Sequence, residues 1–234
     1  MKLTAPIYHL KRKAKALSRE TSVPLNAALD QIARSEGCES WSLLAARHAA
    51  NSSTKTLYEQ LKPGELLLIG ARPGLGKTLM ALDLAIEAMK AGKRAFFFTL
   101  EYNEEQIADR FKRLGTELAR YRDLFISDCS DGISADYIIR TLATAASGTL
   151  IVIDYLQLLD QRRSTPPLDQ QISALQSFAK AKGLIIVFVS QISRTYDPKT
   201  KPFPSLKDVR LPNPMDLAAF DKTCFLNESG VRFQ

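Results

Sequence analysis

The chain has 234 residues, of which 45% are hydrophobic, and its net charge is +7 with a pI near 9.3. That is enough chain for one α/β domain with a small appendage, and the charge suits a polyanionic partner such as nucleic acid. No apolar run approaches the roughly 20 residues of a membrane span, and the scattered Cys38, Cys129 and Cys224, with only His9 and His48, give neither a disulfide framework nor zinc-ligand spacing. A cytoplasmic protein with reduced thiols is expected, with no membrane partner.

Residues 1–50 read as a small helical module. His9 to Leu17 forms a basic helix, with Lys11, Arg12, Lys13, Lys15 and Arg19 available to phosphate or to solvent. Ser22 is placed to cap a second helix with Pro24 in its first turn, and Gly37 ends it. Ser40 starts a third. The polar stretch 51–56, with Asn51-Ser52-Ser53-Thr54 at its head, is the expected linker, and the main domain is expected over 57–234.

Within that domain, Leu66 to Ile69 is an apolar strand running into Ala71-Arg72-Pro73-Gly74-Leu75-Gly76-Lys77-Thr78, followed at once by a helical pattern to about Ala91. Strand, glycine-rich turn, Lys-Thr and helix make a P-loop. The turn needs small residues so that backbone N–H groups can wrap phosphate, and the helix adds its own unpaired N–H groups. Lys77 would reach the β- and γ-phosphates of a nucleotide, and Thr78 would offer its hydroxyl to magnesium. The usual first glycine of the pattern is Ala71 here.

Arg94 to Leu100 reads as a buried strand with Glu101 at its end, where ligand crevices form in open α/β sheets. A helix follows from Asn103 to near Leu114, then a strand at 124–127 and a helix from Ser134 to about Ala145. Ile151-Val152-Ile153-Asp154 is an apolar strand ending in a carboxylate, a second magnesium ligand through water. After a loop at 161–167 and a helix to Lys182, the strand 184–190 ends at Gln191, which could sense the γ-phosphate. Thr195 to Pro214 is Pro-rich and basic; Arg194, Lys199, Lys201, Lys207 and Arg210 are the candidate nucleic-acid contacts, on what is expected to be a structureless loop. Two short strands around 227–230 close the chain.

With these pieces placed, the sequence resembles the C-terminal ATPase domain of DnaB-type replicative helicases. Ala71 to Thr78, Thr99-Leu100-Glu101, Ile151 to Leu158 and Ser190 to Arg194 carry the resemblance, in the family's order and with similar spacing. It implies a RecA-like P-loop NTPase fold: an α/β domain with a mostly parallel central sheet, here preceded by a small all-α module. It implies ATP and Mg2+ as ligands, with Glu101 polarising the attacking water, Lys77 and Gln191 completing the catalytic set, Thr78 and Asp154 holding the metal, and Gln191 coupling the γ-phosphate to DNA-binding loops. Single-stranded DNA and a homo-oligomer or helicase-like partner are the implied partners. Two features depart from the family: its N-terminal domain is replaced by the short helical module, and its arginine-bearing C-terminal segment has no counterpart before Gln234, leaving Lys222 and Arg232 nearby. The alternative expectation is a nucleotide-switched, largely non-hydrolysing module or regulator of a replication or recombination assembly. A small-molecule kinase fits less well, because the Asp-Tyr-Leu-Gln-Leu string has no role in one.

Overall fold

Five apolar strands account for the centre of the main domain. In the computed structural model, which describes residues 4–5, 7–160, 165–198, 200–211, 215–227 and 230–234, they are β1 (Leu66–Ala71), β2 (Ala95–Thr99), β3 (Phe125–Asp128), β4 (Leu150–Asp154) and β5 (Ile185–Gln191). All five are parallel to their neighbours. The hairpin β6 (Lys222–Asn227) and β7 (Gly230–Phe233) extends the sheet, giving the order β3-β2-β4-β5-β1-β6-β7 with only β6 and β7 antiparallel.

Parallel strands need both faces covered, which is why these strands are near-continuous in apolar residues. Successive side chains divide between the two faces. Leu67, Ile69, Phe97 and Val152 join the core under α4 (Lys77–Lys90) and α5 (Glu104–Arg113). Leu66, Leu68, Phe98 and Ile153 join the core under α6 (Ala135–Thr141) and α7 (Leu168–Lys182). The chain passes from β1 to β2 across one face and from β4 to β5 across the other. That reversal opens a crevice beyond the carboxyl ends of the strands.

Local chemistry fixes the helix ends. Asn103 and Gln106 form a reciprocal capping box at α5, and Ser134 caps α6 by accepting from the Tyr137 N–H. α7 stops at Gly183, whose φ of 65° is left-handed. α6 ends at Thr141, four residues before the expected stop.

The chain divides into two compact units, Met1–Ser53 and Thr54–Gln234. The first contains α1 (Ile7–Thr21) and α2 (Leu25–Ser35), with Leu10 and Ala14 buried on α1 and Ala28 and Ala33 on α2. Ser22 does not cap α2. Its φ is +56°, in the tight link between the helices, and Pro24 takes the N-cap position. α3 (Trp41–Gln60) is started by the Ser40 hydroxyl, which accepts from the Leu43 N–H. The backbone at 51–56 is helical, part of α3, where the sequence suggested a polar break. Ser, Thr and Asn each cost a helix only about 0.5 kcal/mol relative to Ala, too little to end one by themselves. The expected short helix at 57–61 is the end of the same α3, and its Leu57 is buried in the core under α4.

Candidate functional site

The glycine-rich turn begins where β1 ends. Gly70 must be glycine for packing reasons: a Cβ there would lie 2.8 Å from the Phe225 ring of β6 and 3.1 Å from Ile192. Ala71 is fully buried and pairs in register with Gln191 of β5. Its methyl group is accommodated, so Ala71 meets no steric obstacle in place of glycine. Gly74 and Gly76 have φ of +81° and +85°, and a Cβ on either would meet nothing within 4 Å. The backbone of the turn is therefore open on its outer side. Gly76 is the N-cap of α4 and supplies no side-chain acceptor, so the first N–H groups of that helix have no capping side chain to bond. A helix start of this kind, behind a left-handed glycine turn, favours an anion. Lys77 and Thr78 occupy its first two positions and are both largely buried.

Asp154 ends β4, in register with Thr99 on β2 and Val189 on β5. It is fully buried, and neither carboxylate oxygen has a hydrogen-bond partner among the described residues. Burial pushes its pKa up to about 6, and the negative charge of Glu101 adds to this; the neighbouring Thr78 hydroxyl and the charges of Lys77 and Arg110 oppose it. These causes put Thr78, Lys77, Glu101 and Arg110 around one carboxylate. An orphaned buried carboxylate beside a threonine hydroxyl is a donor set that suits a divalent cation with retained waters.

Glu101 follows β2 and is exposed; its backbone N–H donates to the Thr99 hydroxyl at 3.1 Å. Gln191 ends β5, and its backbone carbonyl accepts from the Arg210 N–H at 2.8 Å, while its side-chain oxygen lies 3.4 Å from the Arg210 guanidinium. The Asp154–Tyr155 peptide is cis, and a 3-10 turn at Leu156–Asp160 follows. From that turn the Gln157 amide donates to the Arg210 carbonyl and lies 3.4 Å from the Ser190 hydroxyl. Gln157 thus joins the ends of β4 and β5 to the 210 region. The sequence singled out its motif without assigning this contact. Arg110, stacked 3.5 Å from the centre of the Tyr102 ring, was also missed; its place near Asp154 depends on how α5 packs.

The segment after β5 is more ordered than its composition suggests. Val209 bridges to Ile192, and Leu206–Asp208 forms a 3-10 turn closed by a Ser205–Asp208 capping box. The Tyr196 hydroxyl donates to the Lys201 carbonyl, and the Lys201 ammonium bonds Ser205 and Asp208. Lys201 is therefore committed to an internal ion pair, a correction to its expected role as a nucleic-acid contact. The expectation of a structureless loop is likewise corrected for the described part. Arg194, Lys207 and Arg210 are exposed. Lys199 and 212–214 lie outside the described residues. Arg72 turns toward this segment: its guanidinium donates to the Tyr196 carbonyl and lies 5.4 Å from the centre of that ring. Of the two substitute cations, Lys222 is 3.7 Å from Glu65, and Arg232 lies over the Phe203 ring at 4.6 Å.

A family model described as an AAA domain matches residues 33–195, well over half of the chain and the whole stretch from β1 to β5. The chain belongs to the AAA domain family. Its relatives include the replicative DNA helicase DnaB of Leifsonia xyli subsp. xyli, 28% identical over 185 residues, covering 66% of this chain and 40% of that protein. The DNA repair and recombination protein RadB of Methanococcoides burtonii is 32% identical over 158 residues, covering 60% of this chain and 69% of RadB. The chain spans about 40% of the length of the DnaB relatives it matches. Among solved structures, an isolated ATPase domain superposes with a TM-score of 0.57 at 21% identity, over 71% of this chain and 70% of that one. A DnaB-like replicative helicase gives 0.58 at 18% identity, over 95% and 68%. The AAA domain described here therefore has the RecA-like P-loop ATPase fold that these neighbours share. Among its described residues, no helix is long and apolar enough to cross a membrane.

Proposed function

We propose that the chain is a magnesium-dependent ATPase that works on nucleic acid, with single-stranded DNA as its first candidate. The observation that carries this reading is the buried, unpartnered Asp154 carboxylate beside Thr78, behind a left-handed glycine turn that opens α4. Thr78 and Asp154 would hold magnesium, which when bound supplies charge neutralisation at the β- and γ-phosphates. The backbone N–H groups from Arg72 to Lys77 and the Lys77 ammonium bind and orient the triphosphate. Glu101, exposed at the crevice, orients a water oxygen toward the γ-phosphorus and holds the proton that water gives up as the bond to the β–γ bridging oxygen breaks. Gln191 reads the γ-phosphate position, and its two contacts to Arg210 pass that state to the basic segment carrying Arg194 and Lys207. Relatedness to DnaB and RadB supports the DNA half of the reading. Assembly into a homo-oligomer, or with a helicase-like partner, belongs to the same proposal.

The test is steady-state ATP turnover of the full chain with magnesium, with and without an oligo-dT strand. Turnover should rise with DNA and be lost in Glu101→Gln, with ATP affinity retained. Binding without turnover in the parent would instead favour a nucleotide-switched module. Unchanged turnover in Glu101→Gln would reject the role given to Glu101.

A further inference from the structure

The +7 charge of the chain is unevenly spread. Residues 1–53 contain eight Lys/Arg and four Asp/Glu, so they carry +4 of it, and α1 alone carries five cations against the single acid Glu20. Lys11, Arg12, Lys13, Lys15 and Arg19 are all exposed. At about 100° per residue, Lys11, Lys15, Arg19 and Arg12 fall within roughly one quadrant of the helix, and successive cations of the i, i+4, i+8 row are about 6 Å apart along its axis. Lys13 lies outside that quadrant, near Glu36, whose pKa it helps to lower. None of the other four makes an ion pair among the described residues. Glu20 stands three and four residues from Leu17 and Ala16, not from a cation.

A solvated helix face ordinarily mixes signs, because like charges at i, i+4 destabilise a helix by about 0.2–0.5 kcal/mol per pair. Here Lys11–Lys15 and Lys15–Arg19 are both such pairs, and nothing on the helix offsets them. A basic amphipathic helix can also mark a membrane surface, but that use needs a free apolar face. The apolar side of α1 is already spent: Leu10 is 1% exposed and Ala14 is fully buried. What remains free is charge alone, and that fits a phosphate backbone held by electrostatics without base contacts.

We infer that the Lys11–Arg12–Lys15–Arg19 face of α1 is a nucleic-acid backbone-binding surface, separate from the crevice and from the basic segment after β5. It is independent of ATP hydrolysis: an inactive crevice would leave it standing, and an active crevice would not establish it. The probe is a fluorescent 30-mer oligo-dT, bound to the full chain without nucleotide over a series of salt concentrations, read by anisotropy. Neutralising Lys11, Lys15 and Arg19 together to Gln changes three exposed positions only, and circular dichroism checks the fold. The plot of log affinity against log salt should lose about 2 in slope, at about 0.7 per phosphate contact removed on a single strand. The charge-retaining pair Lys11→Arg with Lys15→Arg should hold the parent slope. Adding the triple Gln change to Arg194→Gln with Lys207→Gln should still remove about 2, because the two surfaces act separately. An unchanged slope in the triple Gln variant overturns the inference, as does binding of the chain through these residues to anionic phosphatidylserine vesicles that oligo-dT fails to displace.

Discussion

Asp154 stores an electrostatic cost that its removal should release. The carboxylate is fully buried with both oxygens unpartnered, and its pKa is raised from 3.8 to about 6. Below pH 3.8 the folded and unfolded states are both protonated, and burial carries no charge penalty. Above pH 6 the folded state holds an unpaired charge, and the difference corresponds to about 3 kcal/mol. Asp154→Asn removes the charge but leaves an unpaired amide, itself worth about 1–2 kcal/mol of desolvation. The variant should therefore be more stable than the parent by about 1–2 kcal/mol at about pH 8, and the gain should vanish near pH 4. With a urea slope of about 3 kcal/mol per molar, the midpoint should rise by roughly 0.3–0.7 M at about pH 8 in the presence of EDTA. Magnesium with ATP should stabilise the parent and not the variant, which loses turnover as it gains stability. A variant less stable than the parent at the higher pH, or one whose difference is the same at both pH values, would refute this account of the carboxylate.

Three further predictions concern the surroundings. Gly70→Ala puts a Cβ against the Phe225 ring and should cost about 1–3 kcal/mol in urea unfolding, with Phe225→Leu recovering part of it. Asp83 on α4 is buried, and its pKa is raised to about 6 by burial, against a bond from Thr54. Its contribution is favourable below about pH 4 and is lost as pH rises through about 6, so Asp83→Asn should remove about half of the fall in thermal midpoint between about pH 4.5 and pH 8. Arg72→Ala breaks the link from the glycine turn to Tyr196 and should weaken DNA stimulation of turnover several-fold, with ATP affinity within about threefold of the parent.

The elements that position the crevice were legible because their signals are local. Leu66 to Ile69 and Ile151 to Asp154 are apolar runs long enough to be buried strands, and Gly74, Gly76, Lys77 and Thr78 carry a turn chemistry few other residues can supply. What was not legible depends on chain segments that meet only after folding. Lys201 looks like a free cation until Asp208 is brought to it by a 3-10 turn. Arg72 looks like a phosphate ligand until Tyr196 offers it a carbonyl and a ring. Gln157 and Arg210 are 53 positions apart, and no periodicity connects them. Ser22 resembles a cap because serine often is one, yet the left-handed link after α1 puts Pro24 in that place.

The central claim is that the glycine turn of α4 binds the phosphates of ATP with magnesium, and direct titration of Mg-ATP into the full chain tests it. Heat or fluorescence change should report one saturable site in the parent, weakened at least about tenfold by EDTA and by Lys77→Ala, with both proteins equally folded by circular dichroism. Binding of equal strength in parent and Lys77→Ala, or no binding at millimolar Mg-ATP, would contradict it.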